Sequence, residues 1–187
     1  MNKTDVINTI ENLFSIACLG LFESLNCTVE AVSDADIDIE ADVIDAPGIP
    51  VACIDAGSTD VELIICLQIP PSTLANTYPV PNQVNSIDSE CLEDWISELS
   101  NQLIGRFKAL LITHNCFISL GLPTSYPESN INELLTEGCH HYELFFDLGG
   151  ELSACFMSIE MFSDTFVFSQ EATIDLDITE PGGIDLF

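Results

Sequence analysis

The chain has 187 residues, 47% of them hydrophobic, with 31 Asp and Glu against 3 Lys and Arg, for a formal net charge of −28 at pH 7. That length and apolar content suffice for one domain with a sizeable core and exclude a chain disordered by composition. The charge repels phosphate backbones and anionic lipid surfaces, which excludes nucleic acid and membrane as partners and makes a solvated, solubilising surface the ordinary account of the acid.

Val6, Ile10, Leu13, Phe14, Ala17 and Leu21 recur at helical spacing and predict a core-facing helix over residues 4–23, with Thr4 as the expected N-cap. Its apolar run, Leu13 to Phe22, is too short to span a bilayer, and the start MNKTDVINTIENLF has no secretory character; a cytoplasmic protein is expected. Alternation between Thr28 and Glu40, as in Ile37-Asp38-Ile39, predicts strands with one wet face. Val51 to Ala56 and Val61 to Ile69 predict a central hairpin turning at Gly57-Ser58-Thr59-Asp60, ended by Pro70 and Pro71. A loop without periodicity over 70–85 follows, either bordering a site or serving as a plain connector.

The next helix is expected from Ser86 or Asp88 to Thr113, followed by a strand from Cys116 to Leu120 and a turn at Gly121-Leu122-Pro123. Further on come a short helix over Asn130 to Glu137 closed by Gly138, and a hairpin of Tyr142 to Leu148 with Leu152 to Met161 around Gly149-Gly150. Segments Phe166 to Phe168 and Ala172 to Ile178 extend the sheet or cover its edge, and the tail from Glu180 is expected to be loose. No linker divides residues 1–187, so a single domain is expected.

Eight cysteines, with no C-x-x-C pair and mostly among apolar neighbours, read as free buried thiols of a reducing compartment. Cys139-His140-His141 supplies adjacent ligands without a second spaced pair, so no metal site is expected.

The stretch from Asp94 to Pro123 carries what a fold would not need for itself. On a helix, Leu92, Ile96, Leu99, Leu103, Phe107 and Leu110 form a stripe to bury, and Asp94, Glu98, Asn101, Gly105 and Lys108 line the opposite face. Three local rules are broken on that face. Asp94 and Glu98 are like charges at i,i+4; Asn101 is a poor helix former; Gly105 in mid-helix costs roughly 1 kcal/mol against Ala. Such breaks are expected where function overrides stability. The face reads as one approached closely at Gly105, with Glu98 and Asn101 reaching into the contact. Arg106 and Lys108 are two of the three basic residues, and Lys108 on the stripe softens repulsion toward an acidic partner.

Asp94-x3-Glu98-x2-Asn101, with Pro123 downstream, resembles the D/S-x3-E-x2-N-x22-P signature of the CheC/CheX/FliY family of chemotaxis phosphatases. The helical part matches in full, while the spacer to the proline is one residue shorter. The resemblance implies an α/β fold of the α+β type, two long helices on a mainly antiparallel sheet related by a pseudo-two-fold axis. The motif occurs on the second helix alone, which is similar to the single-motif CheX members, and these pair as homodimers. The implied substrate is the phosphoaspartate of a CheY-type response regulator. Asn101 would orient the attacking water and Glu98 would hold the partner's lysine. Asp94, Gly105, Lys108 and Pro123 would support the helix, the docking or the loop. No cofactor of its own is implied, because the regulator supplies Mg2+. A non-catalytic signalling or flagellar-switch adaptor of the same fold is the alternative, and an unrelated acidic α/β protein is a third.

Overall fold

Helix and strand patterning place their apolar residues toward a single layer boundary in the computed structural model, which describes residues 2–25, 29–32, 49–79, 87–126, 138–163 and 168–169. The helices are α1 (Lys3–Ser24), α2 (Pro71–Thr77) and α3 (Ser89–Thr113). The strands are β1 (Val29–Val32), β2 (Val51–Gly57), β3 (Val61–Gln68), β4 (Ser119–Leu120), β5 (Thr124–Tyr126), β6 (His140–Leu148) and β7 (Leu152–Met161).

Each long helix begins at a side-chain cap. Asn2 Oδ1 accepts from the Asp5 amide at 2.8 Å, so Asn2 and not Thr4 caps α1. The amide lies three residues on from Asn2, which leaves Thr4 inside the first turn. Asp88 caps α3 by accepting from the Cys91 amide at 3.0 Å. The C-terminus of α3 closes with Asn115 left-handed at φ 61, its amide bonded to Ile112 O and that of Cys116 to Leu111 O. This is a Schellman closure with Asn where Gly is usual. It takes Cys116 out of the expected strand, and only Ser119 and Leu120 pair with β2. The expected loop over 70–85 also changes, because α2 forms at its start. Pro71 sits at the first helical position, where a missing N–H costs nothing.

The sheet has seven strands, all paired antiparallel, in the order β1-β6-β7-β3-β2-β4, with β5 also on β2. The two expected hairpins form. Ser58 N bonds Val61 O in the β2–β3 turn, and Gly149 and Gly150 take φ 73 and 94 in the β6–β7 turn. Two successive positive φ values are what a two-residue hairpin turn demands.

The strand order carries an internal two-fold. The first half, α1-β1-β2-β3, and the second, α3-β5-β6-β7, exchange their first strands: β1 pairs β6, and β5 pairs β2. Swapping the halves turns the order into itself about the β3–β7 pair. The described halves therefore interlock through these exchanged strands.

α1 and α3 pack on one another and on one sheet face. Phe14 meets Phe107 at 5.4 Å edge to face, and Phe22 lies 4.9 Å from Phe146. The helix-facing strand residues Ala52, Ile54, Leu63, Ile65, Leu67, Met157 and Ile159 complete that core. By length and composition α1 would qualify as a membrane span, but Ile10, Phe14, Cys18 and Leu21 are buried in this core. The opposite sheet face holds a smaller cluster of Val51, Cys66, Phe145, Ala154 and Phe156.

On that face the structure corrects the all-thiol reading. Cys53 and Cys66 stand directly opposite in register, their Cα atoms 4.2 Å apart, and are joined as a disulfide. Directly opposed side chains of an antiparallel pair approach this closely, a juxtaposition that counting C-x-x-C spacings cannot detect. Cys18, Cys91, Cys116, Cys139 and Cys155 are free. The strand expected over 33–40, the helix over 130–137, and the expectations for 172–178 and the tail from 180 lie outside the described residues. Phe168 stacks on His114 at 5.1 Å against the end of α3.

Candidate functional site

Burial of Ile96, Leu99, Leu103 and Phe107 fixes the roll of α3 and turns Asp94, Glu98, Asn101 and Gly105 to solvent on one stripe, with Lys108 half-buried at its end. All five sequence-singled residues on α3 thus share a face. Among the described residues, nothing packed against the helix lies within 4 Å of where a Cβ on Gly105 would stand. Packing among the described residues does not call for glycine there, and the helix accepts its conformational cost beside open ground.

Glu98 Oε1 accepts a hydrogen bond from Gln102 Nε2 at 3.0 Å. Asn101 has no side-chain partner among the described residues. The motif pair is therefore half fixed: the carboxylate is held and the carboxamide is left free to meet a ligand.

The start of the stripe abuts α2. Trp95 Nε1 donates to Thr77 Oγ1 at 3.1 Å, and Tyr78 packs edge to face on Trp95 at 5.9 Å. Partial burial there, the Cys91 thiol, and the carboxylates of Asp94 and Asp88 push the Tyr78 phenol above its ordinary range. Asp94, exposed on the stripe, is near enough to this aromatic wall for its charge to act on the phenol. Arg106 reaches toward Gly20 of α1, its guanidinium 3.7 Å from a Cβ built at that glycine. Neither Arg106 nor Lys108 has an ion-pair partner among the described residues, where the single pair is His140 with Glu11 at 2.6 Å.

Pro123 stands in the bend that carries the chain from β4 to β5 along β2. The adjacent Gly121 donates its amide to Asp55 O at 2.8 Å, and a Cβ there would collide with the Asp55 carboxylate. The bend is a backbone device, which fits a shaping role for Pro123.

No group of three His, Cys, Asp or Glu suited to a metal ion occurs among the described residues. His140 is instead engaged by Glu11, and Cys139 Sγ faces Glu160 at 3.8 Å. A shallow cavity of about 160 Å³ lies at the β2–β3 turn, lined by Asp55, Gly57, Glu62 and Phe162, away from the motif. The motif stripe is a convex helix face, a shape matched by another macromolecule and not by an enclosed small ligand.

The internal two-fold allows a comparison within the chain. Buried Ile10, Leu13, Phe14, Ala17, Cys18 and Leu21 of α1 superimpose in spacing on Ile96, Leu99, Ser100, Leu103, Ile104 and Phe107 of α3. Asn12 and Ser15 then stand where α3 has Glu98 and Asn101. The Ser15 hydroxyl is engaged with the Tyr142 hydroxyl at 3.0 Å. α1 carries no second copy of the motif.

Sequence reasoning missed Gln102, Trp95, Thr77 and Tyr78. Gln102 was visible as an i,i+4 neighbour of Glu98. The α2 contacts came from a segment read as loop.

The architecture is that of the CheX and CheC-like fold. CheX from Vibrio vulnificus superimposes with a TM-score of 0.62 at 12% identity, over 80% of this chain and 95% of that one. CheX from Borrelia burgdorferi, solved as a CheX–CheY–BeF3–Mg2+ complex, gives 0.51 at 14% identity, over 79% and 97%. FliM from Helicobacter pylori, solved with SpeE, gives 0.52 at 9% identity, over 84% and 89%. No protein-family model matches the sequence and no curated protein matches it, so the likeness is one of fold.

Proposed function

We propose that this chain is a phosphatase acting on the phosphoaspartate of a CheY-type response regulator. One observation carries the reading: on a CheX-like fold, of the two long helices described, the one with Glu-x-x-Asn presents both side chains to solvent beside Gly105, which no described neighbour crowds. A carboxamide cannot act as a general base, so these residues suit a substrate that brings its own electrophile and metal.

Asn101 orients a water by accepting one of its hydrogens and donating to its oxygen, placing a lone pair in line with phosphorus. The P–O bond to the aspartyl carboxylate breaks as the new one forms, and inorganic phosphate leaves. Glu98 takes the regulator's active-site lysine by a charge-assisted hydrogen bond, which fixes the docking. Mg2+, held at the regulator, supplies charge neutralisation on the phosphoryl oxygens. The fold likeness to the Borrelia CheX solved with CheY, BeF3 and Mg2+ supports this partner. A homodimer with two motif faces, in a cytoplasmic signalling pathway, belongs to the same reading.

Orientation of one water supplies about a hundredfold, roughly 3 kcal/mol of barrier. The test is decay of a phosphorylated CheY-type receiver with and without the protein. Acceleration is expected, and Asn101→Ala should remove it, while Asp94→Ala should leave most of it. Binding without acceleration would instead favour the adaptor reading, which the FliM likeness keeps in play.

A further inference from the structure

The motif carboxylate is held by the chain itself. Gln102 Nε2 lies 3.0 Å from Glu98 Oε1, one turn further along α3, and Gln102 is half-buried where Glu98 is exposed. A half-buried stem restricts the rotamers from which the amide can donate, whereas an exposed glutamate alone samples many. We infer that Gln102 is a positioning residue for partner recognition: it fixes one oxygen of Glu98 and leaves Oε2 free to receive an ammonium from the docked protein. The inference rests on the phosphatase reading and adds to it a residue outside the motif.

The chemistry favours glutamine at this place. A lysine or arginine four residues after Glu98 would pair with it and compete with the partner's cation. A glutamate would repel it. A neutral donor orients the carboxylate and leaves its charge intact for the partner, while Asn101, one residue earlier and without a side-chain partner among the described residues, serves the water. At the matching position α1 has Ile16, and no glutamate stands at position 12 to be oriented.

A bland alternative exists, in which the pair only stabilises the helix by a few tenths of a kcal/mol. The experiment separates the two. Phosphoreceiver decay is measured at varied receiver concentration for the wild-type chain, Gln102→Met, Gln102→Lys, Glu98→Gln and Glu98→Gln/Gln102→Met, with thermal midpoints for each. Gln102→Met keeps the length and removes the donor, and should raise KM about three- to tenfold with kcat little changed. Gln102→Lys should raise KM further, although it retains a donor. In the Glu98→Gln background Gln102→Met should have little further effect, since the carboxylate to be oriented is gone.

If Gln102→Met lowers the thermal midpoint and shifts KM equally in both backgrounds, the residue is structural and the inference is overturned. If Asn101→Ala abolishes turnover and Glu98→Gln raises KM while Gln102→Met and Gln102→Lys match wild type, the inference fails and the phosphatase reading stands. If the wild-type chain neither binds nor dephosphorylates the receiver, the reading fails and takes the inference with it.

Discussion

Gly105 separates the needs of the helix from those of the partner. It lies inside a 25-residue helix, exposed, and among the described residues nothing packed on the helix lies within 4 Å of the position a Cβ would take. Gly105→Ala therefore introduces no collision and recovers the full difference in helix propensity, about 1 kcal/mol. For a domain of this size that raises the thermal midpoint by roughly 2–4 °C. A methyl already intrudes where a partner's backbone would come closest, and Gly105→Leu adds a side chain that must be displaced or accommodated at a cost of about 1–3 kcal/mol. The expected result is a more stable alanine variant, with kcat/KM for the phosphoreceiver lowered about five- to 150-fold in the leucine variant. Calorimetry and the decay assay on the same preparations decide it. A lower midpoint for Gly105→Ala would refute the claim that internal packing does not require glycine. Wild-type turnover for Gly105→Leu would show that nothing approaches the helix there.

Two further outcomes follow from ionisable groups outside the motif. Glu151 accepts from Ser72 Oγ at 2.5 and 2.6 Å and from Thr73 Oγ1 at 2.5 Å, and these bonds hold its carboxyl below the ordinary 4.5. A depressed folded value contributes stability above the unfolded value and loses it as pH falls through the folded one. The stability gap between wild type and Ser72→Ala/Thr73→Val should therefore be full at pH 7 and shrink below the ordinary carboxylate range; a gap constant across that range in denaturant melts counts against these bonds. Burial, with Asp60 nearby, pushes the Cys116 thiol up to about 11. At pH 8 only about one thiol in a thousand is then ionised, so alkylation of the native protein followed by peptide mass analysis should leave Cys116 unmodified, and rapid labelling there would contradict its burial.

Much of the fold was legible because it follows from period and turn chemistry. The stripe of Ile96, Leu99, Leu103 and Phe107 set the roll of α3, and Gly149-Gly150 set the β6–β7 turn, from residues a few positions apart. What escaped depended on geometry between distant positions or on the less common residue for a role. Asn2 and not Thr4 caps α1; Asn115 closes α3 without a glycine; Pro71 opens a helix in a stretch where prolines suggested only loop. The Cys53–Cys66 pairing depends on the β2–β3 register, which sets residues thirteen apart in sequence directly opposite one another. At the site, the five stripe residues could be placed by helical spacing alone, whereas the wall of Thr77, Tyr78 and Trp95 required knowing that α2 exists.

The internal two-fold turns α1 into a control for α3. The same fold position, with the same spacing of buried residues, presents two outer faces that treat polar groups in opposite ways. On α1 they tie the helix to the sheet: Glu11 takes His140 at 2.6 Å and Ser15 takes Tyr142 at 3.0 Å, both on β6. On α3, among the described residues, Glu98 engages only its helix neighbour Gln102 and Asn101 engages no side chain. A polar side chain bound across elements contributes to holding the fold, and one kept free on a helix already stabilised by its buried stripe contributes nothing to it. Free polar groups beside a glycine that packing does not require are what a helix face retains when its contacts are completed by another molecule.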